Sequence, residues 1–212
     1  MGRRALGKIQ PDLTLEGHYL ELEDLDAPLG DGPFSAARPL EVEVGSGKGL
    51  FMGSAALTSP EHNFLGIEIS TRYAKYAAAQ LAQHELKNAV MVRGDGMKLF
   101  VDHLQSEQLQ AVHVYFPDPW WKQRHRSRRI LNDAFIRLVE NRLKVGGELH
   151  FWTDVHKYFD ETLDRINAVT ELDGPLEVSE TSPEHDLDYR THFERRMRIN
   201  GEPVYRTRFI RM

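Results

Sequence analysis

The chain has 212 residues, of which 41% are hydrophobic and 28% charged, as expected for one globular domain with a substantial core. It contains no cysteine, which excludes disulfides, thiolate metal sites and cysteine nucleophiles and favours a reducing, cytoplasmic location. Its formal net charge is −5, and no apolar run approaches the roughly 20 residues of a membrane-spanning helix, so we expect no membrane association.

Residues 1–39 are broken by prolines and glycines, and we predict an irregular N-terminal arm followed by a single domain at 40–212. Strand and helix patterns then alternate along the chain. Strands are predicted at 40–44, 64–69, 89–93, 111–116, 149–153, 176–180 and 204–210. Helices are predicted at 50–57, after Ser70, at 98–104, 132–143 and 157–169, and the helix after Ser70 is expected to turn Tyr73, Tyr76, Ala77, Gln80, Leu81 and His84 inward.

This alternation predicts an α/β, Rossmann-like fold with a mostly parallel central sheet and helices on both faces. The last two strands lack a long helix between them, which predicts an antiparallel C-terminal edge. In such sheets ligands bind at the carboxyl ends of the strands. The residues that follow each strand are therefore the candidates for a binding site.

A glycine turn follows the first strong strand, in the run Glu43-Val44-Gly45-Ser46-Gly47-Lys48-Gly49. Such a turn is compatible with a nicotinamide cofactor, with S-adenosylmethionine or with tight packing alone, and it lacks the end of a Walker loop. Glu68 ends the next strand, where an acid can accept from ribose hydroxyls, and Asp95 ends the third. Three acids around one pocket would repel a pyrophosphate and favour a sulfonium with an ammonium group.

A second motif follows the fourth strand. Asp118 lies between two prolines and is followed by Trp120 and Trp121, whose indoles offer flat faces for a base. Residues 122–129 then contain five cations and no acid, and residues 190–212 contain seven arginines and two glutamates. Because local patches decide where an anion binds, the sequence predicts a nucleic-acid partner, with a solvated basic face as the alternative.

Together these motifs resemble the bacterial tRNA (guanine-N7)-methyltransferases from about Glu41 to the C-terminus. The first forty residues match that family poorly, and Trp121 stands where its members often have a smaller or polar residue. The matching segments are Glu43–Gly49, Gly66-Ile67-Glu68, Phe116-Pro117-Asp118-Pro119-Trp120, Lys122-Gln123-Arg124-His125 with Arg128-Arg129, Thr153-Asp154, Thr191-His192-Phe193-Glu194 and Gly201-Glu202-Pro203-Val204-Tyr205-Arg206.

The resemblance implies a class I methyltransferase fold, S-adenosylmethionine as methyl donor and, as target, the guanine at position 46 in the variable loop of tRNA. It implies a catalytic Asp118. The cofactor-binding residues it implies are Glu43, Gly45, Gly47, Glu68, Asp95 and Asp118, and the substrate contacts are Lys122, Asp154, Thr191 and Glu194. We expect the RNA backbone to contact Arg124, Arg126, Arg128 and Arg129.

Alternatives remain open at this stage. The Asp118 loop partly resembles the Asp/Asn-Pro-Pro-aromatic loop of exocyclic-amine methyltransferases, and a non-catalytic RNA-binding module or a nicotinamide oxidoreductase would share some of the motifs. His150, Asp154 and His156 cluster without an established ligand spacing, as do His185, Asp186, Asp188 and His192, so no metal is expected. We expect a monomer or homodimer with no obligatory protein partner.

Overall fold

The computed structural model describes residues 6–34, 37–120, 122–179 and 189–212. Within these ranges eight strands form one sheet in the order β1-β4-β3-β2-β5-β6-β8-β7. The strands are β1 (Tyr19–Glu21), β2 (Leu40–Val44), β3 (Asn63–Glu68), β4 (Ala89–Arg93), β5 (Leu109–Tyr115), β6 (Leu143–Thr153), β7 (Asp173–Leu176) and β8 (Tyr205–Ile210). The α-helices are α1 (Leu50–Thr58), α2 (Thr71–Gln83), α3 (Gly96–Lys98), α4 (Asp133–Arg142), α5 (His156–Val169) and α6 (His192–Ile199).

The pairing of the strands confirms the predicted topology. Strands β1 to β6 pair in parallel. Strand β8 runs antiparallel to β6, and β7 runs antiparallel to β8 at the edge. Chain order reverses at β2, from which the sheet grows in both directions, so the carboxyl ends of β2 and β5 flank the point where a ligand binds in a doubly wound sheet.

Helices cover both faces of the sheet because alternate strand residues point to opposite sides. In β4, Val90 and Val92 belong to a core cluster that includes Phe135 and Ile136 of α4. Their neighbour Met91 belongs to a second cluster with α1 and α2. Each face of the sheet therefore has its own hydrophobic core and its own covering helices, as predicted from the sequence.

The sheet differs from the prediction in three strands. Tyr19–Glu21 in the predicted irregular arm forms β1 and pairs with β4 from Tyr19↔Met91 to Glu21↔Arg93. Strand β6 starts at Leu143 rather than 149 and runs through Gly146 and Gly147. Strand β7 lies at Asp173–Leu176 rather than 176–180. Polar and glycine-containing segments carry little periodic signal, which explains these misses.

The helices also differ in detail. The segment predicted as a helix at 98–104 is the short α3 followed by a π-helical turn at Leu99–His103. The predicted inward face of α2 is confirmed in part. Ala77 and Leu81 are buried as expected, but Tyr73, Tyr76 and Gln80 are half-buried and His84 is exposed. The buried residues of α2 are Ala74, Ala77, Ala78, Ala79 and Leu81. Small side chains are needed there because Ala77 lies against the glycine turn, where a Cβ on Gly49 would come within 2.6 Å of the Ala77 Cβ.

Across the described ranges, every helix falls short of the length and apolarity that crossing a bilayer requires.

Candidate active site

The glycine turn lies at the carboxyl end of β2 and is built from left-handed backbone. Gly45, Gly47 and Gly49 have φ values of 83°, 53° and 75°. The amides of Gly45 and Ser46 donate to the Ile67 carbonyl at 2.8 and 3.3 Å, which pins the turn to β3. A Cβ on Gly45 would meet no atom within 4 Å, so the turn is open on that side. The backbone is thereby free to approach a ligand.

Glu43 lies beneath this turn and is buried, with 3% of its surface exposed. Its Oε2 atom is buried and has no hydrogen-bond partner in the structure. Burial, reinforced by the nearby charge of Glu68, raises the pKa of the Glu43 carboxyl to about 8. A cation placed beside it would reverse that shift, because an opposite charge favours the ionised carboxylate.

Two further acids stand at the ends of the neighbouring strands. The Glu68 carboxylate accepts from the Gly47 amide at 3.0 Å and from the Ser70 amide at 2.9 Å. Ser70 precedes α2 as predicted, but its hydroxyl makes no capping bond. The Asp95 side chain accepts from the Met97 amide at 2.8 Å and caps α3. Each carboxylate is thus fixed by backbone donors at the open edge of the sheet.

One apolar side chain in this region was not among the residues predicted from the sequence. Ile69 follows Glu68 directly, and 71% of its surface is exposed. An isoleucine this exposed beside two carboxylates offers a flat apolar contact to a ring bound at the same edge. Its position after a strand-ending acid is the only signal that the sequence carries.

The Asp118 loop leaves the end of β5 in an unusual conformation. Phe116 and Trp120 have φ values of 49° and 42°, a region that residues with a Cβ rarely adopt. The Phe116 amide donates to the Trp152 carbonyl at 2.8 Å, and its ring lies 4.8 Å from that of Phe193 in α6. Asp118 between them is exposed at the rim of the site. A strained loop of this kind is typical of functional sites.

The basic run continues from this loop as a 3₁₀-helix at Gln123–Arg128. Lys122, Arg124 and Arg128 are exposed, and the Arg128 guanidinium lies 5.2 Å from the Trp120 ring. These side chains are accessible to an RNA backbone. The predicted roles of Trp121 and of the Arg126 side chain lie outside the described residues.

Arg129 departs from the sequence prediction. It is buried, and its Nε donates to the Pro119 carbonyl at 2.8 Å. Its Nη1 donates to Glu161 Oε2 of α5 at 2.6 Å, and the guanidinium lies 4.5 Å from the Tyr158 ring. Two of its donor nitrogens are therefore engaged inside the protein, which argues against the expected phosphate contact.

The three remaining candidates follow β6 or begin α6. Asp154 is half-buried at the carboxyl end of β6, on the same edge of the sheet as the other acids. The Thr191 hydroxyl accepts from the Glu194 amide at 3.0 Å, and Glu194 Oε2 accepts from the Arg190 amide at 2.6 Å. This is a variant of the capping box at the start of α6, in which Glu194 accepts from the amide one residue before the N-cap Thr191. Glu194 is only 2% exposed, with its Oε1 accepting from Arg198 at 3.3 Å, so its carboxylate already has partners within the chain.

A buried polar network that the sequence did not reveal lies on the α1 face of the sheet. His113 Nε2 donates to Glu41 Oε2 at 2.7 Å, and Nδ1 accepts from the Tyr115 hydroxyl at 2.9 Å. Burial lowers the pKa of His113 to about 4, so the imidazole is neutral. Burial alone would raise the pKa of Glu41, but the hydrogen bonds to His113 and His62 outweigh it and lower this pKa to about 2. A cavity of about 210 Å³ adjoins the network. Among the described residues, no group of three or more His, Cys, Asp or Glu side chains is arranged to hold a metal ion.

Comparisons with known proteins agree with this architecture. Residues 37–207 match the model of the family described as "Putative methyltransferase". A tRNA (guanine-N(7)-)-methyltransferase from Rhodopirellula baltica is 48% identical over 213 residues, which cover 97% of this chain and 79% of that protein. Another from Limosilactobacillus fermentum is 34% identical over 174 residues, covering 82% of this chain and 80% of that protein.

Solved structures support the fold. A tRNA methyltransferase from Aquifex aeolicus superposes with a TM-score of 0.54 at 16% identity, covering 82% of this chain and 62% of that one. A SAM-dependent methyltransferase from the same organism gives a TM-score of 0.55 at 10% identity, covering 84% of this chain and 85% of that one. The fold is thus that of a Rossmann-like class I methyltransferase, and the chain belongs to the tRNA (guanine-N7)-methyltransferase family.

Proposed function

We propose that this chain transfers the methyl group of S-adenosylmethionine to N7 of the guanine at position 46 in the tRNA variable loop. The observation that carries the proposal is the set of carboxylates around the open glycine turn, with exposed cations one loop away. The activity itself is that of relatives whose sequences align over most of this chain. In addition to this activity, we propose the target position in tRNA and the role of each residue.

The residues around the turn fit the chemistry of the donor. Glu43 offers a buried carboxylate oxygen with no partner, which suits an ammonium or sulfonium charge. Glu68 and Asp95 offer acceptors for ribose hydroxyls and an adenine amino group, and Ile69 offers an apolar surface for the ring. The open side of Gly45 leaves room for close approach. When bound, S-adenosylmethionine supplies an electrophilic methyl group on a sulfonium.

The chain's own residues need to align the acceptor rather than activate it. Guanine N7 carries an in-plane lone pair and no proton, so methyl transfer requires no general base. The guanine N1–H and N2–H₂ are donors, and we assign Asp118 or Asp154 as their acceptors. An adenine in the same place would leave that carboxylate without a partner, which gives discrimination against adenine.

Lys122, Arg124 and Arg128 bind the neighbouring phosphates in this proposal. Their exposure next to the Asp118 loop supports the assignment, as does the stacking of Arg128 on Trp120. Arg126 is included on the basis of the sequence alone. Thr191 and Glu194 act indirectly, because their capping box fixes the start of α6, where Phe193 packs against Phe116 of the loop.

The proposal is tested with matched tRNA transcripts and labelled S-adenosylmethionine. We expect methyl incorporation into an unmodified transcript and none when the guanine at position 46 is replaced by adenine. Asp118→Asn should lower kcat by about 10²-fold or more while the fold survives, because misplacement of the reacting groups is costly. Equal incorporation into both transcripts would reject the target, and normal turnover by Asp118→Asn would remove Asp118 from the mechanism.

A further inference from the structure

We propose that Arg129 is a positioning residue that clamps the Asp118 loop onto α5, and not a contact to tRNA phosphate. What the loop does during methyl transfer rests on the proposed function. The clamp itself rests on contacts that are independent of any activity.

Arg128 and Arg129 are neighbours in one basic run but occupy different environments. Arg128 is exposed, and its guanidinium faces the Trp120 ring at 5.2 Å. Arg129 points the other way, with 9% of its side chain exposed. Exposure alone therefore separates a cation that can reach a phosphate from one that cannot.

Arg129 connects the Asp118 loop with helix α5, which are far apart in the sequence. Its Nε donates to Pro119 O at 2.8 Å in the Asp118 loop. Its Nη1 donates to Glu161 Oε2 at 2.6 Å, and its guanidinium carbon lies over the Tyr158 ring, 4.5 Å from the centroid. Glu161 and Tyr158 both belong to α5. A guanidinium presents its donors in a fixed fork, so holding both acceptors at once fixes their separation. Pro119 is thereby tied to the helix.

Breaking the contacts of the buried Arg129 side chain costs free energy. If Arg129 swung out to a phosphate, the Pro119 carbonyl would lose this donor and the ion pair with Glu161 would break. Both bonds involve the charged guanidinium and lie in a partly buried site, so giving up the two together is unfavourable. The arrangement therefore favours a permanent structural contact over a mobile one.

The Asp118 loop needs a restraint at each end because its backbone conformation is strained. The left-handed residues Phe116 and Trp120 bracket Asp118, and non-glycine residues keep this conformation only where their surroundings impose it. The Phe116 end is held by its bond to Trp152 and by packing on Phe193. Arg129 supplies the corresponding restraint at the Pro119 end. Without it, Asp118 would sample positions away from the acceptor base.

Amide hydrogen exchange at Phe116, Asp118 and Trp120, the residues of the 116–120 segment that carry an amide proton, tests the clamp without reference to activity. Arg129→Gln and Glu161→Ala should each increase exchange in this segment about tenfold or more, since local opening sets the rate. Arg165→Gln is the matched control, because Arg165 makes a 2.6 Å ion pair with Asp133 between α5 and α4, away from the loop.

Binding and turnover then distinguish the two roles. Arg128→Gln should reduce the slope of log K against log salt for tRNA by about 0.7, the value for one phosphate contact on a single strand. Arg129→Gln should leave that slope and the KM for tRNA unchanged while kcat falls roughly tenfold. Arg129→Lys should restore part of kcat, because the ammonium keeps the charge but not the fork.

The outcomes decide between a clamp and a phosphate contact. Unchanged exchange of 116–120 in Arg129→Gln, or a salt slope reduced by about 0.7 with kcat intact, overturns the inference. If Arg129→Gln does not fold, Glu161→Ala and Arg129→Lys carry the same test. If the wild-type protein fails to methylate tRNA, the proposed function fails, and the exchange measurement still decides the clamp.

Discussion

Two glycines of the same turn differ in what lies beyond their α-carbons. A Cβ on Gly45 would project into open space, whereas a Cβ on Gly49 would come within 2.6 Å of Ala77. Both have positive φ, at 83° and 75°, so alanine is strained at either position. Only the space differs, and the open side is where we place the methyl donor.

The glycine pair gives a prediction that separates folding from binding. Gly45→Ala should retain the fold, with a loss of about 1 kcal/mol from backbone strain, and should bind S-adenosylmethionine weakly. Gly49→Ala carries the same strain and a clash with α2 as well, so it should be the less stable variant by about 1–3 kcal/mol. Urea unfolding and calorimetric titration of each variant measure the two effects. Equal stability of the two variants would show that the contact with Ala77 is unimportant.

Glu43 gives a prediction about protons. Its pKa of about 8 means that it is protonated near pH 7, and a bound cation would favour the ionised form. Cofactor binding should therefore release a proton, and affinity should rise between pH 6 and 8. Calorimetry in two buffers with different ionisation enthalpies measures that release. Glu43→Gln should abolish it and weaken binding by about 2 kcal/mol, or roughly thirtyfold in Kd.

The same residue predicts the sign of a change in stability. Because the folded-state pKa of Glu43 is raised, the folded protein binds more protons than the unfolded chain between about pH 4.5 and 8. This contribution is present below pH 4.5 and is lost as the pH rises toward 8. The free energy of unfolding of wild type relative to Glu43→Gln should fall across that window. A difference that stays flat would mean that Glu43 is ionised in the free protein.

At the scale of elements, the strongly patterned segments were predictable and the weakly patterned ones were not. Strands β2 to β5 follow continuous or alternating apolar runs, so their existence and order could be derived from the sequence. Strand β1 has three residues in a segment rich in turn formers and depends on pairing with β4. The predicted inward face of α2 was right for Ala77 and Leu81 and wrong for its larger residues, because close packing against Gly49 selects alanines there.

The site divides in the same way. Acids and glycines at strand ends could be placed from the sequence, since the carboxyl ends of parallel strands meet at one edge. The burial of each side chain could not be predicted from the sequence, and burial decides the role of each charged residue. Arg128 and Arg129 are neighbouring arginines in one basic segment, yet only the fold shows that Arg128 is exposed and that Arg129 donates to Pro119. The Glu41–His113 pair likewise depends on two strands meeting.

Helix α6 offers a prediction about its capping box. Thr191→Ala removes the hydroxyl that accepts from the Glu194 amide and should cost about 1 kcal/mol of stability. Thr191→Ser keeps the acceptor and should stay close to wild type. Denaturant unfolding with both variants checks the difference. If Thr191→Ala lowered methyl transfer without lowering stability, Thr191 would instead contact the substrate directly.

At the scale of the whole molecule, the proposed cofactor site and the proposed tRNA site lie side by side along one edge of the sheet. The ends of β2, β3 and β4 carry the acids and the glycine turn, and the ends of β5 and β6 carry Asp118 and Asp154. Exposed cations follow directly from the β5 loop, so the RNA backbone would be held beside the reacting base. The net charge of −5 does not oppose this arrangement, because the cations are concentrated where we propose that the RNA binds.

The most direct test of this account is to map the methylated atom in tRNA. Unmodified tRNA is incubated with the protein and labelled S-adenosylmethionine, then treated with borohydride and aniline, which cleave the strand only at N7-methylated guanine. We predict a single cleavage at position 46 that depends on both the protein and the methyl donor. Label incorporated without cleavage would point to an exocyclic amine as the acceptor and would contradict the account, as would the absence of any label in tRNA.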